Sequence, residues 1–352
     1  MKPWGSVKLN IYGESHSEYL GLTMEVPKGI LLDDAVISHD LSRRRAGASG
    51  TTPRTEDDLP HYISGVTEGV TNGDILEVRF YNRNIRPADY ASIRTIPRPS
   101  HCDYPAYMKY GAIPSGGGRF SGRLTLPLVF AGAVARQILS RNGMIVGGHY
   151  LVIGSASDTP FDPINTTPEQ LNALRHMAFP AIAPAAKADM QGILSALDGD
   201  SVGGCAELCA LGLPTGLGGE LWGGLESRVS SLMYAIPGVK AVEFGAGTAL
   251  ASMRGSEAND GLRVQDNRII FESNNSGGIQ AGMANGAPLI VRVTFRPTPS
   301  IALPQHSVDL AAMENTDITI RGRHDACIAL RGLAAAEAAL LIAILDAFTE
   351  EA

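Results

Sequence analysis

The chain has 352 residues, of which 44% are hydrophobic and 18% charged, and its formal net charge at pH 7 is −7. This apolar content excludes an intrinsically disordered chain, and the acidic balance disfavours a protein held to nucleic acid by a global basic field. The 40 glycines and 21 prolines indicate many turns, but they follow no period of three, which excludes collagen. An anionic ligand must therefore be bound by local basic clusters.

Apolar and β-branched runs bounded by Gly or Pro predict strands near residues 6–12, 20–26, 74–80, 145–154, 203–212, 238–244 and 288–296. Helical patterns cover residues 35–45, 121–139, 168–177, 217–233 and 330–348. Asp33 or Asp34 is expected to cap the first helix and Thr167 the third, and Pro127 should kink the second or mark its first turn.

The last helix is almost wholly apolar, so we expect it to be buried on most faces. Long buried helices among antiparallel strands, with no GxGxxG after a strand, predict an α+β layered fold rather than a doubly wound sheet. Length alone suits roughly two to three domains. Because turns are spread evenly and no linker or repeat is visible, we predict one domain over residues 1–352.

Cysteine usage and the N-terminal sequence predict a cytoplasmic protein with reduced thiols. Cys205 and Cys209 are too far apart for a CxxC zinc site and have no flanking histidine, so they are interpreted as strand residues. The start of the chain lacks the apolar stretch of a secretory signal, and the longest apolar segment is interrupted by Glu337 and Asp346. We expect no metal and no membrane partner.

The motif GESHS at residues 13–17 follows an apolar run, which puts His16 beside a glycine turn at the end of a strand. Imidazole exchanges protons near neutral pH, so His16 is a candidate catalytic residue. The alternative is a histidine that only makes a hydrogen bond within the turn. No GxSxG motif supports a serine hydrolase.

The segment LSRRRAGASGTTPRTE at residues 41–56 sets four arginines around a loop of small residues. Guanidinium groups bind phosphate and carboxylate through two hydrogen bonds, and small-residue loops expose N–H groups to the same anions. The alternative is a solvated basic helix end, which is favourable at the negative end of the helix dipole.

Residues 93–125 combine a glycine triplet with aromatic and ionisable side chains, namely Arg98, His101, Asp103, Lys109, Arg119 and Arg123. Gly116–Gly118 can bring backbone close to a flat ligand or a phosphate. Arg119 and Arg123 are four residues apart and are predicted to share a helical face. Together these features predict an anion site.

Two later segments have a similar character. The loop ESNNSGGIQAGMANG and the strand exit FRPTPSI, with Arg296, suit contact with a phosphate or an aromatic ring that carries carbonyl groups. RGRHDAC places Arg323, His324 and Asp325 just before the last helix. A helix cap with an ion-paired neighbour is the alternative interpretation of that segment.

In chain order, the segments GESHS, RRRAGASGTTPRTE, SGVTEGVTNG, RPSHCDYPAYMKYG, GGGRFSGRLT, GDSVGG, IPGVKAVEFG, SNNSGGIQAGMANG, FRPTPSI and GRHDAC resemble chorismate synthase over residues 5–348. The resemblance implies a β-α-β sandwich with long central helices between antiparallel sheets, and a homotetramer. It also implies conversion of 5-enolpyruvylshikimate 3-phosphate to chorismate by anti-1,4-elimination of phosphate, with reduced FMN and no net redox change.

The resemblance also assigns roles to residues. It makes His16 the proton donor to the departing phosphate, His101 the acid that serves the reduced flavin, and Asp325 the relay for the proton lost by the substrate. The FMN contacts implied are Arg119, Phe120, Ser121, Pro237, Gly238, Ala281, Arg296, Pro297, Thr298, Pro299, Ser300 and Arg323. The implied substrate contacts are Arg45, Arg54, Arg98 and Arg123, and Arg44 occupies the position of an NADPH contact in members that reduce their own flavin.

The sequence departs from the family pattern near the flavin segments. Ser17 and Ala281 replace glycines, Phe120 replaces a hydroxyl residue, and Leu124 replaces a carboxylate. Phe120 is expected to stack on or crowd the flavin. Two alternatives are therefore kept, a divergent enzyme acting on a related phosphorylated carboxylic acid and a non-catalytic flavin-binding protein.

Overall fold

The computed structural model describes residues 7–45, 50–51, 56–83, 95–320 and 324–351. Its strands are β1 Leu9–Gly13, β2 Tyr19–Met24, β3 His61–Ser64, β4 Val66–Thr67, β5 Val70–Thr71, β6 Leu76–Tyr81, β7 Ile145–Ile153, β8 Ala156–Ser157, β9 Gly204–Leu211, β10 Val239–Phe244, β11 Leu262–Gln265, β12 Arg268–Phe271, β13 Ile279–Gln280, β14 Met283–Ala284, β15 Leu289–Phe295, β16 Gln305–Asp309 and β17 Glu314–Ile318. Its α-helices are α1 Asp34–Arg44, α2 Asp103–Tyr110, α3 Thr125–Ser140, α4 Pro168–Arg175, α5 Pro184–Ser195, α6 Leu225–Tyr234, α7 Gly255–Ala258 and α8 Ala329–Glu351.

Two antiparallel sheets enclose a layer of helices. The first sheet has the strand order β1-β2-β6-β3 and the second has the order β10-β15-β9-β7-β8. Helix α3 packs on β2 of the first sheet and on α8, while α8 packs on β7, β9 and β15 of the second. The predicted α+β sandwich with central helices is confirmed.

The two central helices approach each other closely because small residues face each other. A Cβ atom added at Gly132 of α3 would lie 2.4 Å from the Cβ of Ala338 on α8. Helix α8 is long and apolar enough to cross a membrane, but 89% of its apolar window is buried inside the protein. It is therefore the core helix of the sandwich, as its composition predicts.

The two carboxylates in the apolar part of α8, Glu337 and Asp346, are buried and paired. Glu337 accepts hydrogen bonds from Arg43 and from Arg136, the latter at 2.9 Å. Asp346 accepts a hydrogen bond from Arg228 at 2.6 Å. Because buried charges are costly unless paired, these contacts explain how an apolar core helix carries two acids.

The predicted strands all occur, with Cys205 and Cys209 in β9, and Asp33 and Thr167 accept hydrogen bonds at the N-termini of α1 and α4. Pro127 lies in the first turn of α3. The helix predicted over residues 217–233 begins only at Leu225, because the preceding glycine-rich segment forms turns and a 3₁₀ turn, Leu221–Gly223. The sequence patterns do not predict helices α2 and α5 or the hairpins of β11–β12 and β16–β17.

Candidate active site

A cavity of about 580 Å³ opens at one end of the second sheet, beside the start of α8. Its walls come from segments far apart in sequence, residues 45, 56–58, 98–102, 116–123, 237–240, 296–300 and 324–331. This volume is within the range of small-molecule sites. The cavity is therefore the candidate active site.

The cavity carries a local excess of positive charge in an acidic chain. The acidic side chains among the lining residues are Glu56, Asp58 and Asp325, and the basic ones, apart from histidines, are Arg45, Arg98, Arg123, Lys240, Arg296 and Arg331. The difference, six minus three, is three positive charges, whereas the whole chain carries −7. Low-dielectric walls strengthen such a field, so the cavity attracts anions.

Three buried polar atoms of the lining have no hydrogen-bond partner among the described residues. They are Nη2 of Arg123, Oγ1 of Thr298 and Nε2 of His324. An unpaired buried polar group costs about 1–3 kcal/mol. A polar ligand in the cavity would satisfy these atoms.

The glycine triplet forms one wall through left-handed backbone. Gly116, Gly117 and Gly118 have φ values of 57°, 83° and 51°, which side chains rarely adopt. A Cβ atom at Gly116 would lie 2.2 Å from Cε1 of His16. The glycines therefore allow the loop after β1 to pack against the cavity wall.

That contact sets the position of His16. The Nδ1 atom of His16 lies 3.1 Å from the carbonyl oxygen of Ser115, and the backbone N–H of Ser15 donates to Gly118 at 3.2 Å. Because a carbonyl oxygen only accepts, Nδ1 is the protonated nitrogen in this contact. His16 thus packs directly against Gly116, which lines the cavity, but His16 is not itself one of the lining residues.

His101 lines the cavity and is held from behind by a buried carboxylate. Its Nδ1 atom lies 2.7 Å from Oδ1 of Asp103, and Arg98 donates to both oxygens of Asp103 at 2.7 and 2.8 Å. Burial opposes ionisation of Asp103, but hydrogen bonds from Arg98 and His101 hold the pKa of this carboxyl well below its ordinary value.

The guanidinium of Arg98 is therefore committed to Asp103 rather than extended into the cavity. Its remaining Nη1 atom lies 3.4 Å from Oγ of Ser300, and only 3% of the residue is exposed. This geometry ties the His101 segment to the segment after β15.

Asp325 and His324 lie on the segment that leads into α8. Asp325 is paired with Arg331 at 3.0 Å, and Arg331 also donates to the carbonyl of Arg44 at 2.9 Å. Burial, together with the charge of Arg98, lowers the pKa of His324 to about 4. His324 is thus a neutral imidazole beside the cavity at physiological pH.

Arg123 and Arg44, two of the predicted ligand contacts, differ in whether their guanidinium groups reach the cavity. Arg123 donates through Nε to Asn82 at 3.1 Å and through Nη1 to Asp58, with Nη2 left at the cavity. Arg44 is 1% exposed and donates to Thr125 and Gly122 at 2.7 and 2.9 Å. Arg45 rather than Arg44 lines the cavity, since helix α1 turns Arg44 inward.

Neighbouring strands explain why distant flavin segments meet. Val239 of β10 pairs with Phe295 of β15, so Pro237–Gly238 and residues 296–300 emerge at the same sheet edge. Arg296 donates to the carbonyl of Ser100 at 2.7 Å, which joins the third segment. The predicted flavin residues that line the cavity are Phe120, Ser121, Pro237, Gly238, Arg296, Thr298, Pro299 and Ser300.

Other predicted flavin residues lie elsewhere. Arg119 is exposed and pairs with Glu14 at 3.4 Å. The predicted shared helical face with Arg123 is wrong because extended backbone at Ser121 separates the two arginines into different 3₁₀ turns. Pro297 is exposed beside the cavity. Ala281 lies in the turn between β13 and β14, which is attached near the other end of β10 through Gly277 and Gly245. Arg54 and Arg323 are outside the described residues.

Several lining residues were missed from sequence. Lys240 follows the IPG turn, Arg331 is hidden in an otherwise apolar helix, and Asp58 adopts a left-handed φ of 52°. Only Lys240 lies in a segment that the sequence singled out. The orientations of the other two depend on packing between elements, which no local pattern signals.

One group of potential metal ligands occurs at the cavity, His101, Cys102 and Asp103, whose ligand atoms lie within 4.8 Å of one another. Asp103 already accepts hydrogen bonds from Arg98. Burial and the charge of Asp103 raise the pKa of the Cys102 thiol to about 11. A protonated thiol and an occupied carboxylate do not suit a metal ion.

Comparisons with known proteins match one family over nearly the whole chain. A family profile described as chorismate synthase matches residues 7–349. The chorismate synthase of Lancefieldella parvula is 37% identical over 97% of this chain and 94% of its own length, and that of Thermococcus kodakarensis is 39% identical over 97% and 95%.

A crystal structure of chorismate synthase matches the fold with a TM-score of 0.76, covering 99% of this chain and 93% of the other, at 24% identity. This structural match supports the fold, and the more similar sequences above support the activity. The chain therefore belongs to the chorismate synthase family, phosphate lyases of aromatic amino acid biosynthesis.

Proposed function

We propose that the cavity is where this chain carries out the family reaction, the anti-1,4-elimination of phosphate from 5-enolpyruvylshikimate 3-phosphate to give chorismate. The observation that carries this proposal is the set of unpaired buried atoms of Arg123, Thr298 and His324 within a cation-rich cavity. The substrate bears one phosphate and two carboxylates, so it supplies the acceptors that such a cavity requires.

The substrate's anionic groups are expected to meet the basic side chains that line the cavity, foremost Arg45, Arg123 and Lys240. Arg98 has a different part in this proposal, because its guanidinium pairs with Asp103. It holds the wall that carries His101, and since it also lines the cavity it remains a predicted substrate contact. Arg54 remains a predicted substrate contact.

The lining fits reduced FMN. Thr298 offers an unpaired buried hydroxyl, and Arg296 adds positive charge for the flavin phosphate. Phe120, Ser121, Pro237, Gly238 and residues 298–300 would hold the cofactor with Arg296. When bound there, reduced FMN would lend electron density transiently and recover it, so the reaction would have no net redox change. Arg119, Ala281, Pro297 and Arg323 remain predicted contacts.

Three side chains transfer protons in this proposal. The substrate loses a proton from C6 and its C–O bond to phosphate breaks, so one group must take a proton and another must protonate the leaving group. Asp325, oriented by Arg331 at 3.0 Å, relays the first proton. His16 protonates the departing phosphate, and His101 serves as the acid toward the cofactor.

We further propose a cytoplasmic homotetramer, one domain per chain, that receives FMN already reduced. Arg44, the position linked to NADPH in self-reducing members, is buried and bonded to Thr125 and Gly122. A nucleotide there would have to displace these internal contacts. NADPH stays possible only as a reductant acting elsewhere.

The test is anaerobic turnover with chemically reduced FMN and the substrate. We expect phosphate and chorismate in equal amounts, and loss of both with His16→Ala or His101→Ala. Release of phosphate from a different phosphorylated carboxylic acid alone would favour the divergent enzyme. Flavin binding without any turnover would favour the non-catalytic alternative.

A further inference from the structure

The segment Arg98 to Asp103 contains an arrangement that the proposed function does not require. Asp103 has no exposed surface, yet it is ionisable and lies directly behind the cavity residue His101. Buried carboxylates are costly, so one that is kept beside a functional imidazole needs an explanation. Its partners supply that explanation.

Four donor atoms, three from Arg98 and one from His101, converge on the Asp103 carboxylate. Oδ2 accepts from Nε of Arg98 at 2.7 Å and from the backbone N–H of Arg98 at 3.0 Å. Oδ1 accepts from Nη2 of Arg98 at 2.8 Å and lies 2.7 Å from Nδ1 of His101. Arg98 therefore fixes both oxygens, and the carboxylate cannot rotate away from the imidazole.

These distances decide the tautomer of His101. An unprotonated Nδ1 would place a lone pair against a carboxylate oxygen at 2.7 Å, which is repulsive. With a proton on Nδ1, His101 and Arg98 both donate to the same oxygen, which accounts for their own 3.0 Å separation. The opposite nitrogen, Nε2, is then the one that is not bound to the carboxylate.

We propose that Asp103 is a positioning residue for His101, which fixes Nδ1–H and makes Nε2 the nitrogen that donates or accepts protons at the cavity, with Arg98 as the anchor of Asp103. The inference deepens the proposed function and rests on it for its effect on turnover. Its effect on the imidazole does not depend on any ligand.

The other ionisable groups near His101 carry no negative charge. Arg98, on the same segment, is cationic, and His324, which approaches from the segment before α8, is neutral. The thiol of Cys102, 3.3 Å from Nδ1, stays protonated. Among the described neighbours, Asp103 is thus the anionic group that accepts from His101.

The experiment follows the ring signals of isotope-labelled histidines by NMR across pH in ligand-free protein. In Asp103→Asn we expect the preference of His101 for Nδ1–H to weaken, because the carboxylate that accepts from Nδ1 is removed. Asp103→Glu retains the charge that Arg98 needs, so it should keep the fold and more of the Nδ1–H preference.

Asp40→Asn is the matched control. Asp40 is also a buried aspartate paired with arginines, Arg136 at 2.8 Å and Arg175 at 2.9 Å, but it does not line the cavity. It should leave the tautomer of His101 unchanged. If the ring signals of His101 in folded Asp103→Asn report the same Nδ1–H preference as in the wild type, the proposal is overturned.

Turnover gives the second readout. The acid limb of the pH profile of kcat should shift in Asp103→Asn, with kcat reduced by about 100-fold, the scale of a lost general acid–base contribution. An acid limb at the same pH as in the wild type would contradict the positioning role of Asp103. If the wild-type protein shows no turnover, the proposed function fails while the NMR result still decides the role of Asp103.

Discussion

Single side chains connect the interior of this protein to its cavity. Arg123 shows the pattern, since two of its nitrogens are bound by Asn82 and Asp58 and the third is left at the cavity. The internal contacts fix the direction of the guanidinium, so binding a ligand costs little side-chain entropy. An arginine fork fixed in this way recognises phosphate or carboxylate through defined hydrogen bonds.

Replacement of Arg123 by Lys tests this fixed geometry. Lysine keeps the charge but cannot hold Asn82 and Asp58 while it also reaches the ligand, so we expect the KM for the substrate to rise about tenfold. Arg141→Lys is the control, because Arg141 is an exposed arginine at the far end of α3. Steady-state kinetics under anaerobic conditions measures both, and an unchanged KM in Arg123→Lys would contradict the assignment.

His324 predicts a pH dependence of stability. Its pKa is about 4 in the folded chain and about 6.5 when unfolded, so the unfolded chain takes up the proton first. The contribution of the neutral His324 to the free energy of unfolding is complete above pH 6.5 and is lost as pH falls through 4.

His324→Gln cannot titrate, so the decline in the free energy of unfolding between these pH values should be smaller by up to about 3 kcal/mol. Urea unfolding of the wild type and the variant at several pH values measures the difference. Identical slopes would show that His324 is not held neutral by its surroundings.

The residues near the cavity were predictable in part. Motifs placed His101, Arg123 and Asp325 in segments that do line it. The resemblance assigned Arg45 to the substrate and Arg44 to a nucleotide, but no motif indicates that Arg44 is buried, because that depends on how α1 packs. Asp103 was recognised only as one charge among several, since its role depends on burial.

Among the elements, the central helices depend most on close packing. Gly132→Ala places a Cβ atom 2.5 Å from Cα of Ala338, so α3 and α8 must separate. We expect a loss of about 1–3 kcal/mol in the free energy of unfolding, typical of overpacked cores. Gly192→Ala in α5 is the control, since nothing lies within 4 Å of its added Cβ. Equal stability of the two variants would contradict the packing argument.

Strands β7 and β9 are joined by a buried ion network. His149 lies opposite Glu207 and contacts it at 3.1 Å, and its other nitrogen lies 2.9 Å from Asp158. Asp158 also accepts from the backbone at Ile182 and Ala183 near the start of α5. Burial opposes a charge on His149, but the two carboxylates raise its pKa overall.

The contribution of His149 to the free energy of unfolding therefore depends on pH in the opposite sense to that of His324. The contribution is complete below pH 6.5, the ordinary pKa of histidine, and is lost as pH rises through the raised pKa of His149. His149→Gln leaves two buried carboxylates without their partner, so we expect a loss of about 3–5 kcal/mol at pH 6. The variant should also lose the decline in stability at alkaline pH. A retained decline, followed by urea unfolding, would assign it to another group.

Elements were predictable where their patterns are local. The alternating strands and the capped helices α1 and α4 follow from side-chain chemistry within each segment. The helix predicted from residue 217 is wrong in the segment before α6. Leucines lie at helical spacing there, but they are separated by glycines such as Gly218, whose φ is 108°. Hairpins such as β11–β12 carry exposed apolar residues and resemble no half-buried strand.

At the scale of the whole molecule, the sandwich explains how an acidic chain binds an anionic substrate. The ends of β10 and β15, the glycine triplet and the start of α8 converge, and their basic side chains outnumber the acidic ones there. Composition alone predicts only that positive charge must be local. Which arginines meet depends on a topology that brings together residues more than 200 positions apart, such as Arg98 and Ser300.

The most direct measurement gives the wild-type protein 5-enolpyruvylshikimate 3-phosphate and chemically reduced FMN without oxygen, and follows phosphate and chorismate together. We predict equal amounts of the two products, no net consumption of reduced FMN, and no products with His16→Ala. A folded protein that binds reduced FMN and releases neither product would contradict the assignment of this cavity as a chorismate-forming active site.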